Sequence, residues 1–220
     1  MISIENNQIS VESLRLPIKR KIGCDLDGVV VNIHPMIFRG IKMVLGVDVD
    51  NLFKTGKRTD YWIDNWPEIK ALAGGPEFVR RICTSSYIYR HAPPVDLAVP
   101  TLNRLHEQGH DIYFVTSRPK ETSTEATMAW FYDHQMEWAA GRVYFADEVI
   151  KGASFKDSVV SSLCLEVFID DSIETMEAFK AKLALKLVPV CSWNRNKRIG
   201  KDTEFVSSWP EIEKKINRLT

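Results

Sequence analysis

The sequence lacks an excess of charge of either sign and lacks any long hydrophobic run. Its 220 residues contain 29 Lys and Arg against 29 Asp and Glu, so the formal net charge is zero. Proteins that bind nucleic acids or anionic membrane surfaces depend on excess positive charge, and this balance argues against both kinds of partner. No apolar run reaches the roughly 18 residues that a transmembrane helix needs, so we expect no membrane span.

Cysteine is also scarce, and its spacing excludes the common thiol motifs. The four cysteines, at positions 24, 83, 164 and 191, form no C-x-x-C pair. Cysteines in apolar runs are typical of buried free thiols in a reducing compartment. The first ten residues are mostly polar and lack the apolar core of a signal peptide, so we predict a cytoplasmic protein.

The sequence does contain a regular alternation of short apolar runs and helical segments. With 45% hydrophobic and 26% charged residues, the composition is that of a globular protein. The apolar runs predict five strands, near residues 22–24, 112–115, 143–145, 167–169 and 185–190. Continuous apolar runs between helices indicate buried parallel strands. The predicted fold class is therefore α/β, a Rossmann-like parallel sheet with helices on both faces.

Residues 33–94 interrupt this alternation between the first strand and the next regular helix. We therefore predict an α/β core domain formed by residues 1–32 and 95–220, and a small, mostly helical C1-type cap formed by residues 33–94. His34 and His91 of this segment are either donors near a ligand or structural residues. The aromatic residues of the segment either stack on a ligand or form the cap's own core; they are Phe38, Phe53, Tyr61, Trp62, Trp66, Phe78, Tyr87 and Tyr89.

Acidic residues follow two of the predicted strands. Asp25 and Asp27 come directly after the first strand, and Asp170 and Asp171 follow the strand at 167–169. Ligands of open α/β sheets bind outside the carboxyl ends of the strands, so these side chains are expected to converge. Two carboxylates about 4 Å apart repel by roughly 4 kcal/mol at an effective dielectric of about 20, so protonation or a cation must offset the charge. Oxygen ligands without His or Cys favour Mg²⁺, which usually also binds a substrate phosphate.

Simpler roles are open for the same acids. Asp27 and Gly28 form a common turn pair. Asp170 and Asp171 precede Ser172 and are suited to cap the helix that follows.

The order of these features resembles the haloacid dehalogenase-like (HAD) phosphohydrolase superfamily. The resemblance consists of four motifs in the family's order, which are D-L-D-G-V-V at 25–30, Val115-Thr116-Ser117, Lys156, and Phe168-Ile169-Asp170-Asp171. Three further features resemble the cytosolic type C 5′(3′)-deoxyribonucleotidase group, namely T-S-R-P at 116–119, I-D-D-S at 169–172 and Trp193-Asn194-Arg195.

The resemblance implies a phosphomonoester hydrolase that works through an aspartyl-phosphate. Asp25 would be the nucleophile and Asp27 the general acid/base. Dehalogenases of the superfamily do not keep this second acid, so Asp27 favours phosphoryl chemistry. Gly28 would allow the bend that aims both carboxylates at the substrate. Lys156 would neutralise charge on the phosphoryl group, with Lys151 as its rival.

The resemblance also implies a metal site and a phosphate site. Mg²⁺ would be held by Asp25, by the backbone carbonyl of Asp27 and by an acid of the fourth motif. Asp171 is the favoured direct ligand with Asp170 behind it, and the order of the two is left open. The substrate phosphate would be bound by the Thr116 hydroxyl and the Ser117 backbone N–H, while Arg118 either contacts phosphate or lies on the surface.

The implied substrate is a small phosphorylated metabolite, with a nucleoside or deoxynucleoside 5′-monophosphate as the first choice. A sugar-phosphate phosphatase or phosphomutase of the same superfamily is the alternative, followed by a non-catalytic binding protein on the same fold. We expect no nucleic-acid polymer and no membrane as partners. The oligomeric state is left open between a monomer and a homodimer.

Overall fold

A parallel β-sheet of six strands lies at the centre of the protein. The computed structural model describes residues 18–58, 62–146 and 152–219. The strands are β1 (Lys21–Cys24), β2 (Asp111–Pro119), β3 (Val143–Ala146), β4 (Val167–Ile169), β5 (Leu185–Pro189) and β6 (Thr203–Val206). The helices are α1 (His34–Leu45), α2 (Val49–Lys54), α3 (Pro67–Lys70), α4 (Gly75–Cys83), α5 (Ser86–His91), α6 (Ala98–Glu107), α7 (Lys120–Asp133), α8 (Gly152–Leu163), α9 (Ile173–Ala178) and α10 (Trp209–Asn217).

The order of the strands in the sheet is β3-β2-β1-β4-β5-β6, and every neighbouring pair is parallel. The order reverses between β1 and β4, and such a switch point is where open α/β sheets bind ligands. Cys24 at the end of β1 is in register with Ile169 at the end of β4. The next residue, Asp25, donates its backbone N–H to the Ile169 carbonyl at 2.9 Å. The two acidic segments therefore begin side by side.

Both faces of the sheet are covered, as the continuous apolar runs predict. Phe114 and Ile169 belong to one buried cluster and their neighbours Val115 and Phe168 to another, because successive side chains of a strand point to opposite faces. The predicted Rossmann-like α/β class is confirmed. Among the described residues, no helix has both the length and the apolar composition needed to cross a lipid bilayer.

The structure contains one strand that the sequence pattern did not predict. β6 lies at the sheet edge, and Glu204 and Phe205 within it are not buried. A strand with this mixed exposure has no continuous apolar run, and the prediction depended on such runs. Strand β2 also extends to Pro119, beyond its predicted end, with an irregular register between Thr116 and Pro119.

Helices α1 to α5 occupy the segment predicted to be a cap. The two chain segments that connect it to the sheet are hydrogen-bonded to each other. The Asn32 N–H donates to the Pro93 carbonyl and the Val95 N–H to the Val30 carbonyl, both at 2.8 Å. Residues of the segment and of the sheet belong to one continuous hydrophobic cluster. The segment is thus joined to the sheet by apolar packing, and its division into a separate domain stays a prediction.

The aromatic residues of this segment differ in their surroundings. Phe53 and Trp66 are buried and meet edge to face, with ring centroids 5.0 Å apart. Trp62 and Tyr87 are exposed. The core interpretation therefore fits Phe53 and Trp66, and Tyr61 lies outside the described residues.

Candidate active site

Three of the four predicted acids meet at the switch point of the sheet. Asp25, Asp170 and Asp171 are buried, and each offers a carboxylate oxygen within 4.8 Å of the other two. Asp25 directly follows β1, and the other two directly follow β4. This convergence is the arrangement that the sequence predicts for the ends of these strands.

A buried lysine joins two of these acids. Helix α8 carries Lys156, whose Nζ lies 2.9 Å from Asp25 Oδ1 and 2.7 Å from Asp170 Oδ2. Burial by itself would lower the pKa of Lys156, but Asp170 and Asp25 raise that pKa above its usual range overall. The lysine is therefore a permanent positive charge beneath the cluster. Its rival from the sequence, Lys151, lies outside the described residues.

The two acids that follow β4 have different surroundings. Asp170 uses Oδ2 for Lys156 and accepts the Ser172 backbone N–H on Oδ1 at 2.9 Å. Asp171 Oδ2 is buried and has no hydrogen-bond partner in the described part of the chain. The helix-capping interpretation of the pair is wrong, because Ser172 caps α9 by accepting the Thr175 N–H at 3.1 Å. Of these two acids, Asp171 is the one with a carboxylate oxygen available to bind a ligand.

The crowding of the acids raises their pKa values. Burial raises the pKa of Asp25 from 3.8 to about 7, with Lys156 opposing the rise and Asp170 and Asp27 adding to it. Burial also raises the pKa of Asp171 well above its usual value, and the charges of Asp170 and Asp25 contribute further. One lysine therefore does not offset the negative charge of the cluster.

The carboxylate of Asp27 lies apart from this cluster and pairs with Arg118. The Arg118 Nη2 donates to Asp27 Oδ1 at 2.6 Å. The Arg118 side chain has no exposed area. The surface interpretation of Arg118 is therefore wrong, and direct contact of its enclosed guanidinium with a substrate phosphate is not supported.

Thr116 and Ser117 lie at the carboxyl end of β2, beside β1. Thr116 is fully buried, and its Oγ1 accepts the Arg118 backbone N–H at 3.3 Å. Ser117 is exposed and belongs to the strand rather than to a loop before α7. Their assignment as phosphate-binding residues stays a prediction.

Gly28 lies in the loop after β1, where that loop approaches Asp171 in the loop after β4. Its φ is +82°, a conformation that favours glycine. A Cβ at this position would lie 2.6 Å from Asp171 Oδ2 and 2.9 Å from His34 Cε1. The absence of a side chain therefore allows Asp171 to approach the first loop, while a contact of Gly28 with substrate stays a prediction.

A cavity of about 680 Å³ opens beside Gly28. Its lining includes Gly28, His34, Phe38, Arg39, Trp193 and Arg195. The rings of His34 and Trp193 lie 4.2 Å apart between centroids, and burial lowers the pKa of His34 to about 4, so this imidazole is neutral at physiological pH. The volume is within the usual range for sites that bind small molecules.

Asn194 was not predicted to belong to the site. Its Nδ2 donates to the Asp171 carbonyl at 3.0 Å and to the Pro189 carbonyl at 2.8 Å. The Asn194 side chain thereby connects the loop after β5 to the backbone of Asp171, a candidate metal ligand. Its only signal in the sequence is its place in the Trp193-Asn194-Arg195 resemblance.

Comparisons with known proteins agree with this geometry, although no protein-family model matches the chain. A Bacillus cereus protein described as "Putative nucleotidase" is 24% identical over 196 residues, which cover 87% of this chain and 95% of that protein. The HAD family hydrolase of Deinococcus radiodurans R1, solved with bound phosphate and sodium, has a TM-score of 0.59 at 17% identity over 90% of this chain and 94% of that chain. The chain shares the fold of this solved hydrolase.

A second solved structure with a similar fold is described as a "putative beta-phosphoglucomutase" from Thermotoga maritima. Its TM-score is 0.63 at 16% identity, and the match covers 91% of this chain and 100% of that chain. The resemblance predicted from the four motifs is thus confirmed at the level of the fold.

The acids at the switch point of this HAD fold suit a divalent cation. The donor set consists of carboxylate oxygens alone, which hard cations such as Mg²⁺ prefer. The buried Oδ2 of Asp171 accepts no hydrogen bond from the described residues, so this oxygen is available to such a cation. Asp25 and Asp171 would hold the ion, and a contribution from the Asp27 carbonyl stays a prediction.

We predict that Mg²⁺ stabilises the protein through Asp171, and more strongly at high pH. The pKa values of Asp25 and Asp171 are raised by folding, so in the metal-free protein these groups favour the folded state below about pH 4, and that contribution is lost as the pH rises towards 7. A bound cation offsets the resulting repulsion. Thermal melting should show a larger Mg²⁺-induced rise in Tm at pH 8 than at pH 5. An equal rise at pH 8 in Asp171→Asn would contradict this assignment.

We predict that Gly28→Ala disturbs the site beyond its cost in backbone strain. A positive φ costs an alanine about 1–2 kcal/mol, and the added Cβ also displaces Asp171. Gly46→Ala is the matched control, since Gly46 has a φ of +71° with nothing within 4 Å of an added Cβ. Both variants should melt at a lower temperature, and only Gly28→Ala should lose Mg²⁺-dependent stabilisation. Equal Mg²⁺ responses would show that the close approach has no role.

Proposed function

We propose that the protein is a HAD-type phosphomonoester hydrolase that uses Asp25 as its nucleophile and Mg²⁺ as its cofactor. The observation that carries this proposal is the contact of the Asp25 carboxylate with buried Lys156, beside Asp171, whose buried Oδ2 has no partner among the described residues. A buried carboxylate next to a fixed positive charge is suited to attack an electron-poor phosphorus.

The proposed reaction takes place in two displacements. In the first, an oxygen of Asp25 attacks phosphorus, the bond to the leaving oxygen breaks, and Asp27 gives a proton to the departing alkoxide. In the second, Asp27 takes a proton from water, which attacks the phosphorus of the aspartyl-phosphate and releases inorganic phosphate and free Asp25. Each step forms one bond to phosphorus and breaks one.

Three groups of the protein would stabilise the negative charge on the transferring phosphoryl group. Lys156 supplies a fixed positive charge, and the Thr116 hydroxyl and the Ser117 N–H would donate hydrogen bonds to the phosphoryl oxygens. When bound, Mg²⁺ would neutralise charge on the phosphoryl oxygens. Stabilisation of charge of this kind is most of what phosphoryl transfer requires from a protein.

We propose a nucleoside or deoxynucleoside 5′-monophosphate as the substrate. The lining of the cavity beside Gly28 includes the aromatic rings of Phe38 and Trp193 and more basic than acidic side chains, with Arg39, Lys42 and Arg195 against Asp48 and Asp50. Aromatic faces stack on nucleobases, and basic side chains attract an anionic ligand. The "Putative nucleotidase" of Bacillus cereus supports the same class of substrate. The four cysteines form no disulfide, which agrees with the proposed cytoplasmic location.

A sugar phosphate is the second candidate substrate, with phosphatase or mutase chemistry. The likeness to the "putative beta-phosphoglucomutase" favours it. Water must be excluded from a mutase during the transfer between two substrate oxygens, whereas a hydrolase must admit it.

A panel of phosphomonoesters separates the two candidates. With Mg²⁺ present, we expect release of inorganic phosphate and a kcat/KM for a nucleoside 5′-monophosphate at least about 10-fold above that for hexose phosphates. Isomerisation of a hexose phosphate without phosphate release would favour the mutase. Failure to transfer phosphate from any member of the panel would contradict the proposed function.

We predict that Asp25→Asn abolishes turnover and leaves the fold intact. The substitution removes the nucleophile, so phosphate release should fall by about three orders of magnitude or more. It also removes one of the repelling buried charges, so the Tm of the metal-free variant should equal or exceed that of the wild type. Phosphate release and thermal melting are measured on the same preparation.

Asp111→Asn is the control for this variant. Asp111 is the first residue of β2, so it lies at the amino ends of the strands, away from the acidic cluster. It pairs with Lys19 and Arg142. It should keep wild-type turnover. Near-normal turnover in Asp25→Asn would exclude Asp25 as the nucleophile.

A further inference from the structure

The contacts of Asp27 single out Arg118, which has no part in the proposed reaction so far. We propose that Arg118 is a positioning residue that fixes the carboxylate of the general acid/base, Asp27. This inference rests on the proposed function and deepens it. Arg118 touches no reacting atom in this account, and it acts through the acid that it holds.

Arg118 makes three hydrogen bonds to a single carboxylate. Its Nε donates to Asp27 Oδ1 at 3.1 Å and to Oδ2 at 3.0 Å, and its Nη2 donates to Oδ1 at 2.6 Å. A carboxylate has about four acceptor positions in total. The single Nε–H is shared between the two oxygens and an Nη2–H adds a second donor, so the orientation of the carboxylate is set by the guanidinium plane.

The exposure of the pair is unequal. The Arg118 side chain is 0% exposed and that of Asp27 is 18% exposed. The enclosed guanidinium donates hydrogen bonds to both carboxyl oxygens of Asp27, so Asp27 is kept on Arg118 rather than rotating freely in the site. A substrate can therefore reach the Asp27 side chain but not that of Arg118.

Arg118 is itself held from two sides. Its Nη1 donates to the Thr127 Oγ1 of α7 at 2.8 Å. Its guanidinium carbon lies 4.1 Å from the ring centroid of Tyr89 on α5, within the range of a cation–π contact. The Tyr89 hydroxyl in turn donates to the Cys83 carbonyl at 2.9 Å. The orientation of the acid is therefore linked to a helix of the predicted cap.

A general acid matters most when the leaving group is a poor one. The leaving group of benzyl phosphate is an alkoxide, which needs a proton as it departs. The leaving group of 4-nitrophenyl phosphate is 4-nitrophenolate, a stable anion that needs none. The two esters are of similar size. The value of kcat/KM covers only the steps up to loss of the leaving group, so the later attack of water does not affect the comparison.

The test compares kcat/KM for these two esters in the wild type, Arg118→Lys, Asp27→Asn and the double variant, with Mg²⁺ present. A well-placed general acid contributes about 10²–10⁴-fold, and lysine does not reproduce the fork of hydrogen bonds that arginine makes. We expect Arg118→Lys to lose about 10-fold more activity towards benzyl phosphate than towards 4-nitrophenyl phosphate. In the Asp27→Asn background, Arg118→Lys should lose less than about 2-fold further, because residues that act as a unit are not additive.

Arg142→Lys is the matched control. Arg142 also pairs with an aspartate, Asp111 at 3.4 Å, and also lies over an aromatic ring, Tyr113 at 5.6 Å. It should leave the ratio of the two kcat/KM values unchanged. If Arg118→Lys does not fold, Tyr89→Leu removes the aromatic support, together with the hydrogen bond to the Cys83 carbonyl, and should shift the ratio in the same direction by a smaller factor.

The outcomes separate this inference from the proposed function. An equal loss towards both esters in Arg118→Lys, or additive losses in the double variant, would overturn the positioning role while the wild-type enzyme remains a phosphatase. A wild type that hydrolyses neither these esters nor any natural phosphate would overturn the proposed function, and the positioning role with it.

Discussion

The confinement of three acids and one lysine at the switch point is the constraint on which the rest of the site depends. Lys156 contacts Asp25 and Asp170, and Asp171 is left with a buried oxygen that has no partner in the described part of the chain. Such a cluster carries more negative than positive charge when all its acids are ionised. In the proposed reaction a phosphate substrate would add further negative charge, which a bound cation would offset.

Much of this arrangement follows from local features of the sequence. Apolar runs identify the central strands, and parallel strands present the residues that follow them at one edge of the sheet. This rule was sufficient to bring Asp25 together with Asp170 and Asp171. The choice of Lys156 and the chemistry assigned to it came from the resemblance to the HAD superfamily, because an isolated lysine on a helix carries no such signal.

Other features depend on packing between distant parts of the chain, and local sequence patterns do not specify their contacts. Arg118 and Asp27 are 91 positions apart, and their pairing follows from the adjacency of β1 and β2. Asn194 reaches Asp171 only because the loop after β5 folds back towards β4. Strand β6 was missed because an edge strand with exposed residues has no apolar run.

The central claim is that the oxygen of Asp25 becomes bonded to phosphorus during turnover. Acid quenching of the wild type during turnover of a nucleoside 5′-monophosphate with Mg²⁺, followed by borohydride, would reduce an aspartyl-phosphate to homoserine. Peptide mass spectrometry then locates the modified residue. We expect homoserine at position 25, and none there in a sample without substrate. A substrate-dependent modification at any other residue, with Asp25 intact, would contradict it.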